Sequence, residues 1–217
     1  MKFRRKSAED PSETDAEVEV AAEVEETSEP GPTTGPYDID DLPDDGVVRM
    51  DLGSLLIAPA DGTEIRLQVD EATDTVQAVL LAGSDGALEL RAFAAPRNGD
   101  LWSEIRPRLA ADFAQRGGTA DEREGRFGTE VVGRLTVRTP DGSTATQPSR
   151  IIGVNGPRWL LRATLLGRPA VEPDAAAMWE DAIARVAVRR GSHPMPAGGE
   201  LALTMPREGT LIEHPNS

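Results

Sequence analysis

Asn155-Gly156-Pro157-Arg158-Trp159-Leu160-Leu161-Arg162-Ala163-Thr164-Leu165-Leu166-Gly167-Arg168 is the stretch whose reading decides the fold. Its opening Asn-Gly pair is a hairpin signal between two strand-like runs, because both residues tolerate positive φ. Pro157 fixes φ and donates no backbone hydrogen bond, so it belongs in the turn or at the first strand position. From there the period is two. Trp159, Leu161, Ala163 and Leu165 share one face, and Arg158, Leu160, Arg162, Thr164 and Leu166 share the other. The first face is expected in the core. The second mixes leucines with arginines, as in a sheet covered fully on one side and partly on the other. Gly167 and Pro169 end the strand.

Upstream, Glu130 to Arg138 alternates in the same way, Pro140-Asp141-Gly142-Ser143 supplies a turn, and Thr144 to Val154 returns into the Asn-Gly hairpin. Three successive antiparallel strands are expected. Downstream, Pro173 with Asp174 beside it opens a helix through about Val186, with Ala175, Met178, Trp179, Ala182, Ile183 and Val186 as its apolar stripe. A Met-and-Trp stripe of this spacing reads as core rather than as a cofactor site. Val186 to Arg190 then reads as a closing strand, and Leu201 to Met205 as a short strand or extended clip.

Towards the start, Val47 to Asp51 and Leu55 to Ile57 are short strand candidates. Glu64 to Val69 alternates with Ile65, Leu67 and Val69 inward, and Thr75 to Leu81 and Ala87 to Ala94 follow through short turns. Short connections favour antiparallel neighbours, so a meander is expected. The period then changes. Trp102, Ile105, Leu109 and Phe113 recur at helical spacing, and Gly117-Gly118 stops the helix. Pro107 lies inside this segment, so the helix either starts near it or kinks there. Thr119 to Gly128 reads as a charged strand or extended connection.

The charge is unevenly spread. Residues 1–46 carry 4 Lys+Arg against 15 Asp+Glu, a net of −11, whereas the remainder carries 19 arginines against 23 acids, a net of −4. Residues 7–36 are rich in Glu, Ser, Thr, Pro and Ala, a composition that buries too little apolar surface to offset chain entropy. A disordered acidic arm over 1–46 is therefore expected, with Tyr37, Ile39 and Leu42 as anchors that dock its end onto the body. It serves either as an interaction arm or as a solubilising tail. The body is slightly negative and poor in aromatics, which argues against nucleic-acid binding. Met1 to Lys6 resembles the charged start of an export signal, but no apolar stretch of signal length follows. With no membrane-length apolar run, a cytoplasmic protein is expected.

There is no cysteine, which excludes disulfides, thiolate catalysis and cysteine-ligated metals. His193 and His214 lack a helical i,i+4 partner, so no metal site is expected. No nucleophile elbow, phosphate-binding glycine loop or dinucleotide fingerprint is present, no catalytic residue or cofactor is assigned, and the reading leans away from an enzyme. The remaining candidates for binding are Arg150, Arg158, Trp159 and Arg162 around the hairpin, with Arg189 and Arg190 after the second helix. Arginine forks suit carboxylate and phosphate groups, though pairing with cross-strand carboxylates is the structural alternative.

The segments FGTEV (Phe127 to Val131), GVNGPRWLLRATLLG (Gly153 to Gly167) and VRRGSHPMPAGGELALTMP (Val188 to Pro206), behind an acidic arm, resemble a bacterial family known as domain of unknown function 3710. The resemblance spans roughly residues 35–206, and GPRWLLR is its most specific part. It implies no activity, cofactor or site residue. The element order also looks like the PsbP-like α/β/α sandwich, a likeness of fold alone.

These readings converge on an α+β protein with a central antiparallel sheet covered by two main helices in an α/β/α sandwich-like arrangement. The expected organisation is an arm over 1–46, one domain over 47–206 and a loose tail over 207–217. A non-enzymatic module with a protein partner is the leading expectation. The alternative is a small-anion or nucleotide-binding domain, enzymatic or not, built on the arginines of the 144–166 hairpin.

Overall fold

The computed structural model describes residues 35–70, 72, 75–139, 142–205 and 211–212. The expected disorder of the arm up to residue 34 and the turn residues 140 and 141 lie outside them, as does His214.

The architecture is mixed α+β with two helices and large antiparallel sheets. In chain order the strands are β1 (Tyr37–Asp38), β2 (Arg49–Asp51), β3 (Leu55–Ile57), β4 (Glu64–Asp70), β5 (Thr75–Ala82), β6 (Gly86–Ala94), β7 (Thr119–Gly125), β8 (Gly128–Arg138), β9 (Thr144–Asn155), β10 (Trp159–Gly167), β11 (Ala187–Val188) and β12 (Leu211–Ile212). Helix α1 (Leu101–Gln115) separates β6 from β7, and α2 (Pro173–Ala184) separates β10 from β11.

A seven-stranded antiparallel sheet runs β4-β5-β6-β10-β9-β8-β7. Both expected groups of strands are in it: the β4-β5-β6 meander, and the β8-β9-β10 run ending in the decisive hairpin. The central pairing joins them, β10 lying against β6 from Trp159 opposite Ala94 to Gly167 opposite Gly86. Trp159, Leu161, Ala163 and Leu165 are buried as their alternation requires. The hairpin turn, however, works differently from the Asn-Gly expectation. Asn98 is the non-glycine residue with positive φ, and neither Asn155 nor Gly156 has it. Gly156 is needed because a Cβ there would enter the indole of Trp159. Asn155 ends β9, where its amide receives the Trp102 N–H at 3.2 Å and donates to Asp100 at 2.7 Å.

A second, smaller sheet was not read from the sequence. It runs β1-β11-β3-β2-β12, with β1 parallel to β11 and the other pairs antiparallel. Its strands are two or three residues long, too short for any period to show. Two of them fall outside the expected domain limits: β1 lies ahead of residue 47, and Leu211–Ile212 pair with Met50 and Arg49 from beyond residue 206.

The large sheet is apolar on both faces. On one, Leu161, Ala163, Leu165, Val79, Leu88 and Ile152 pack with Trp179, Ala182 and Ile183 of α2 and with Leu55 and Ile57 of β3. On the other, Leu160, Ile151 and Val131 pack with Leu101, Trp102 and Phe113 of α1. Glycines make the second contact close. A Cβ at Gly153 would strike the Trp102 ring and one at Gly133 the Phe113 ring, so α1 lies on the sheet with its aromatic residues seated in two notches. The Trp102 Nε1 donates to the Thr129 carbonyl at 2.7 Å. The helix runs through Pro107, and Asp100 caps it by accepting the Ser103 N–H at 3.0 Å.

Two expectations change in detail, and of the short strand or extended clip expected over Leu201 to Met205 the structure has the second. The buried stripe of α2 is Ala176, Trp179, Ala182 and Ile183, while Met178 is exposed. Val69 is exposed because a bulge between Gln68 and Val69 turns the end of the edge strand β4 outward. In the clip, Leu203 bridges Gly53 and Val76.

Candidate functional site

The parallel pairing of β1 with β11 builds the site, because it sets Asp38 beside Val188 and leaves Arg189 and Arg190 projecting from the same end. The hairpin tip brings Arg158 to that end too. One residue on, the buried Trp159 turns inward and donates from Nε1 to Asp38 Oδ2 at 2.7 Å. The other oxygen of Asp38 accepts the Asp40 N–H at 3.1 Å. Around these residues lies an open cavity of about 480 Å³, lined by Asp38, Asp40, Arg158, Arg189, Arg190 and Ser192 among others.

The three arginines differ in how far they are committed. Arg189 is held: its Nη1 donates to Asp51 at 2.9 Å and to the Gly53 carbonyl at 2.6 Å. Burial opposes ionisation of Asp51, but the Arg189 hydrogen bond and the Gly53 N–H outweigh it and hold its carboxyl below the ordinary aspartate range. Arg190 donates from Nη1 to the His193 carbonyl at 3.2 Å, while its buried Nε has no partner among the described residues. Arg158 is exposed and, among the described residues, its side chain forms no hydrogen bond or ion pair, its carbonyl alone accepting the Ala95 N–H at 2.9 Å. The lining thus offers two guanidinium groups with donors to spare, fixed beside a backbone that Trp159 and Arg189 tie down.

The hairpin arginines do not assemble into one site. Arg150 lies on the α2 side of the sheet, 4% exposed, its Nε on Glu130 at 2.7 Å and its Nη2 on Glu180 at 2.5 Å. Glu130 in turn receives Arg123 at 2.6 Å, so this is a buried chain of ion pairs joining three strands to α2. Arg162 stands two residues from Leu160 on the α1 side of the sheet, opposite Arg91. Arg158 is at the hairpin tip. Opposite faces separate Arg150 from Arg162, and the expected grouping of Arg150, Arg158 and Arg162 is replaced by Arg158, Arg189 and Arg190. Trp159 is 1% exposed and acts from beneath the cavity rather than on its surface.

Sequence reasoning missed Asp38, Asp40 and Arg49. Arg49 is fully buried, gripping both oxygens of Asp45 at 2.9 and 2.6 Å and donating to the Arg185 carbonyl, at the C-terminal cap of α2, at 2.8 Å. The four-residue spacing from Asp45 to Arg49 was visible, but outside a helix it carries no meaning by itself. Among the described residues, no group of three or more His, Asp or Glu side chains is placed to hold a metal ion, and no helix is long and apolar enough to cross a membrane.

A family profile described as protein of unknown function (DUF3710) matches residues 35–210. No curated protein and no solved structure matches the chain.

Proposed function

The chain belongs to this family of unknown function, and we propose that it is a non-enzymatic, cytoplasmic protein-interaction module that receives an acidic segment of a partner protein in the Arg158–Arg189–Arg190 cavity. The observation that carries this reading is the pair Arg158 and Arg190, whose guanidinium groups have no carboxylate within ion-pair distance among the described residues. Carboxylates suit it better than phosphates. Asp38 and Asp40 line the same cavity, so a group of charge near −2 meets about twice the repulsion that a single carboxylate bridging two guanidinium forks does. The open form of the cavity also fits side chains presented by another protein surface better than a small molecule needing enclosure.

The rest of the account follows the same reading. The protein is an α/β/α sandwich-like domain of bacterial origin, with a PsbP-like order of elements. That arrangement is supported by the separate packing of α2 and α1 against opposite faces of the large sheet. The acidic sequence ahead of residue 35 keeps the module soluble, whereas the rest of the expected arm, with Asp38 and Asp45, belongs to the body.

The test uses the full chain and a labelled glutamate-rich decapeptide followed by fluorescence anisotropy. The wild type binds with an affinity that falls as salt rises. Arg158→Gln combined with Arg190→Gln weakens binding about 10-fold, the loss of charge-assisted bonds worth ~1.4 kcal/mol in total. Arg138→Gln, at an exposed position on β8, leaves it unchanged. Equal binding by the double variant, or tighter binding of inorganic phosphate than of the peptide, contradicts the proposal.

A further inference from the structure

The α1 side of the large sheet holds a second cavity, independent of the first. Helix α1 crosses this face from Gly153 to Gly133 and leaves the far ends of β10 and β9 uncovered. The open groove beside it has a volume of about 410 Å³. Its apolar wall is Leu109 and Phe113 of α1 with Leu135 and Leu166 of the sheet; Arg162, Thr164, Ser149 and Gln147 face it from the sheet, and the ion-paired Asp112 and Arg116 border it at the end of α1.

Arg162 is unusual for a sheet residue. It stands directly opposite Arg91, a like-charge pair that destabilises a sheet unless something compensates it. Arg91 is satisfied by Glu200. Arg162 is held more loosely: its ion pair with Glu89 is long, at 3.8 Å, and its side chain makes no hydrogen bond to any described residue. Its side chain is nonetheless 20% exposed, with the Phe93 ring 5.2 Å from the guanidinium carbon. Desolvation, and then the charge of Arg91, push its pKa down, so the cation is held where it costs the fold free energy. Thr164, Ser149 and Gln147 also have side-chain polar groups with no partner among the described residues, although Ser149 is only 8% exposed. Donors so loosely committed, converging over an apolar wall, have the composition of a ligand site.

We propose that this groove binds a small amphipathic monocarboxylate. The carboxylate lies on the Arg162 fork with the Thr164 hydroxyl beside it, and the hydrocarbon body lies along Leu109, Phe113 and Leu135. Glu89 and Asp112 also line the groove, which favours a single negative charge over a phosphate dianion. This inference does not rest on the arginine cavity described above, and either can fail alone.

Octanoate is the probe, titrated into the full-length protein and followed by isothermal calorimetry, with inorganic phosphate and 1-octanol as parallel arms. Octanoate is expected to bind, 1-octanol about 10-fold more weakly and phosphate not at all. Arg162→Gln weakens octanoate about 10-fold or more while the thermal midpoint is retained, because the long ion pair with Glu89 and the contact with Phe93 are offset by the repulsion from Arg91 that the substitution removes. Gln147→Trp, at an exposed position, fills the far end of the groove and abolishes binding, and it decides the matter if Arg162→Gln does not fold. The proposal is overturned if octanoate does not bind the wild type, if Gln147→Trp binds it unchanged, or if phosphate binds as well as octanoate.

Discussion

Replacing Trp159 tests the connection between the core and the arginine cavity. Its ring is 1% exposed, lies against Gly156, and belongs to the larger apolar core. Trp159→Ala is expected to cost about 3–5 kcal/mol, the range for emptying a buried aromatic site. Trp159→Phe keeps most of the packing and removes the 2.7 Å bond to Asp38, a neutral donor on a charged acceptor. Because Asp38 is partly exposed and rehydrates, the low end of the range applies, about 1.5 kcal/mol. Urea unfolding at 25 °C reads both. With a slope near ~2 kcal/mol/M, the midpoints fall by about 2 M for alanine and somewhat under about 1 M for phenylalanine. The phenylalanine variant also frees one carboxylate oxygen next to Arg158 and Arg190, so its affinity for the glutamate-rich peptide falls although neither arginine is touched. A loss of less than ~0.5 kcal/mol for Trp159→Ala refutes the burial argument. An unchanged peptide affinity in Trp159→Phe breaks the proposed link from core to cavity.

Other substitutions probe the remaining supports. Gly153→Ala places a methyl group inside the Trp102 ring and is expected to cost about 1–3 kcal/mol in the same urea assay, an effect Trp102→Leu in the same chain largely absorbs. Glu130→Gln leaves Arg150 with Glu180 as its one remaining carboxylate and costs about 1.5–3 kcal/mol, the range for a hydrogen bond to a charged group, whereas the double replacement Glu130→Leu with Arg150→Met costs less, since an apolar pair needs no hydrogen bonds. The Arg49 hydrogen bond, against the opposing effect of burial, holds the Asp45 carboxyl below the ordinary aspartate range. Its stabilising contribution is therefore complete above the unfolded value and is lost as pH falls through the lower folded one. Asp45→Asn should flatten the stability profile below about pH 4 and leave its shape at pH 7 unchanged, as thermal midpoints across that range would show.

Legibility followed the length of the period. Trp159 to Leu165 alternates over enough residues that one core face could be assigned outright, and β8 could be divided into two faces in the same way. Helix α2 was found but its phase was not: the alanines around Met178 and Trp179 give little contrast around the helix, so Met178 was assigned to a stripe that Ala176 occupies instead. Strands were expected where β2, β3 and β11 lie, but their assembly with β1 into a separate sheet was not, because strands of two or three residues have no period to tell which partner they take. The site suffered for that reason. Arg158, Arg189 and Arg190 were each singled out, but what brings them together is the pairing of Asp38 with Val188 and the bond from Trp159 to Asp38, contacts across long sequence separations that no local pattern encodes. Arg150 and Arg162 looked alike in sequence, and strand parity placed them on opposite faces, one saturated by carboxylates and the other left facing a groove.

The most direct test of the arginine cavity is an NMR titration that observes the Nε–Hε groups of the arginine side chains in the full-length protein as the glutamate-rich peptide is added. The account predicts that the Arg158 and Arg190 resonances move together and saturate, while that of Arg150, locked between Glu130 and Glu180, stays in place. Shifts spread evenly over the exposed arginines, or none at Arg158 and Arg190, would contradict it.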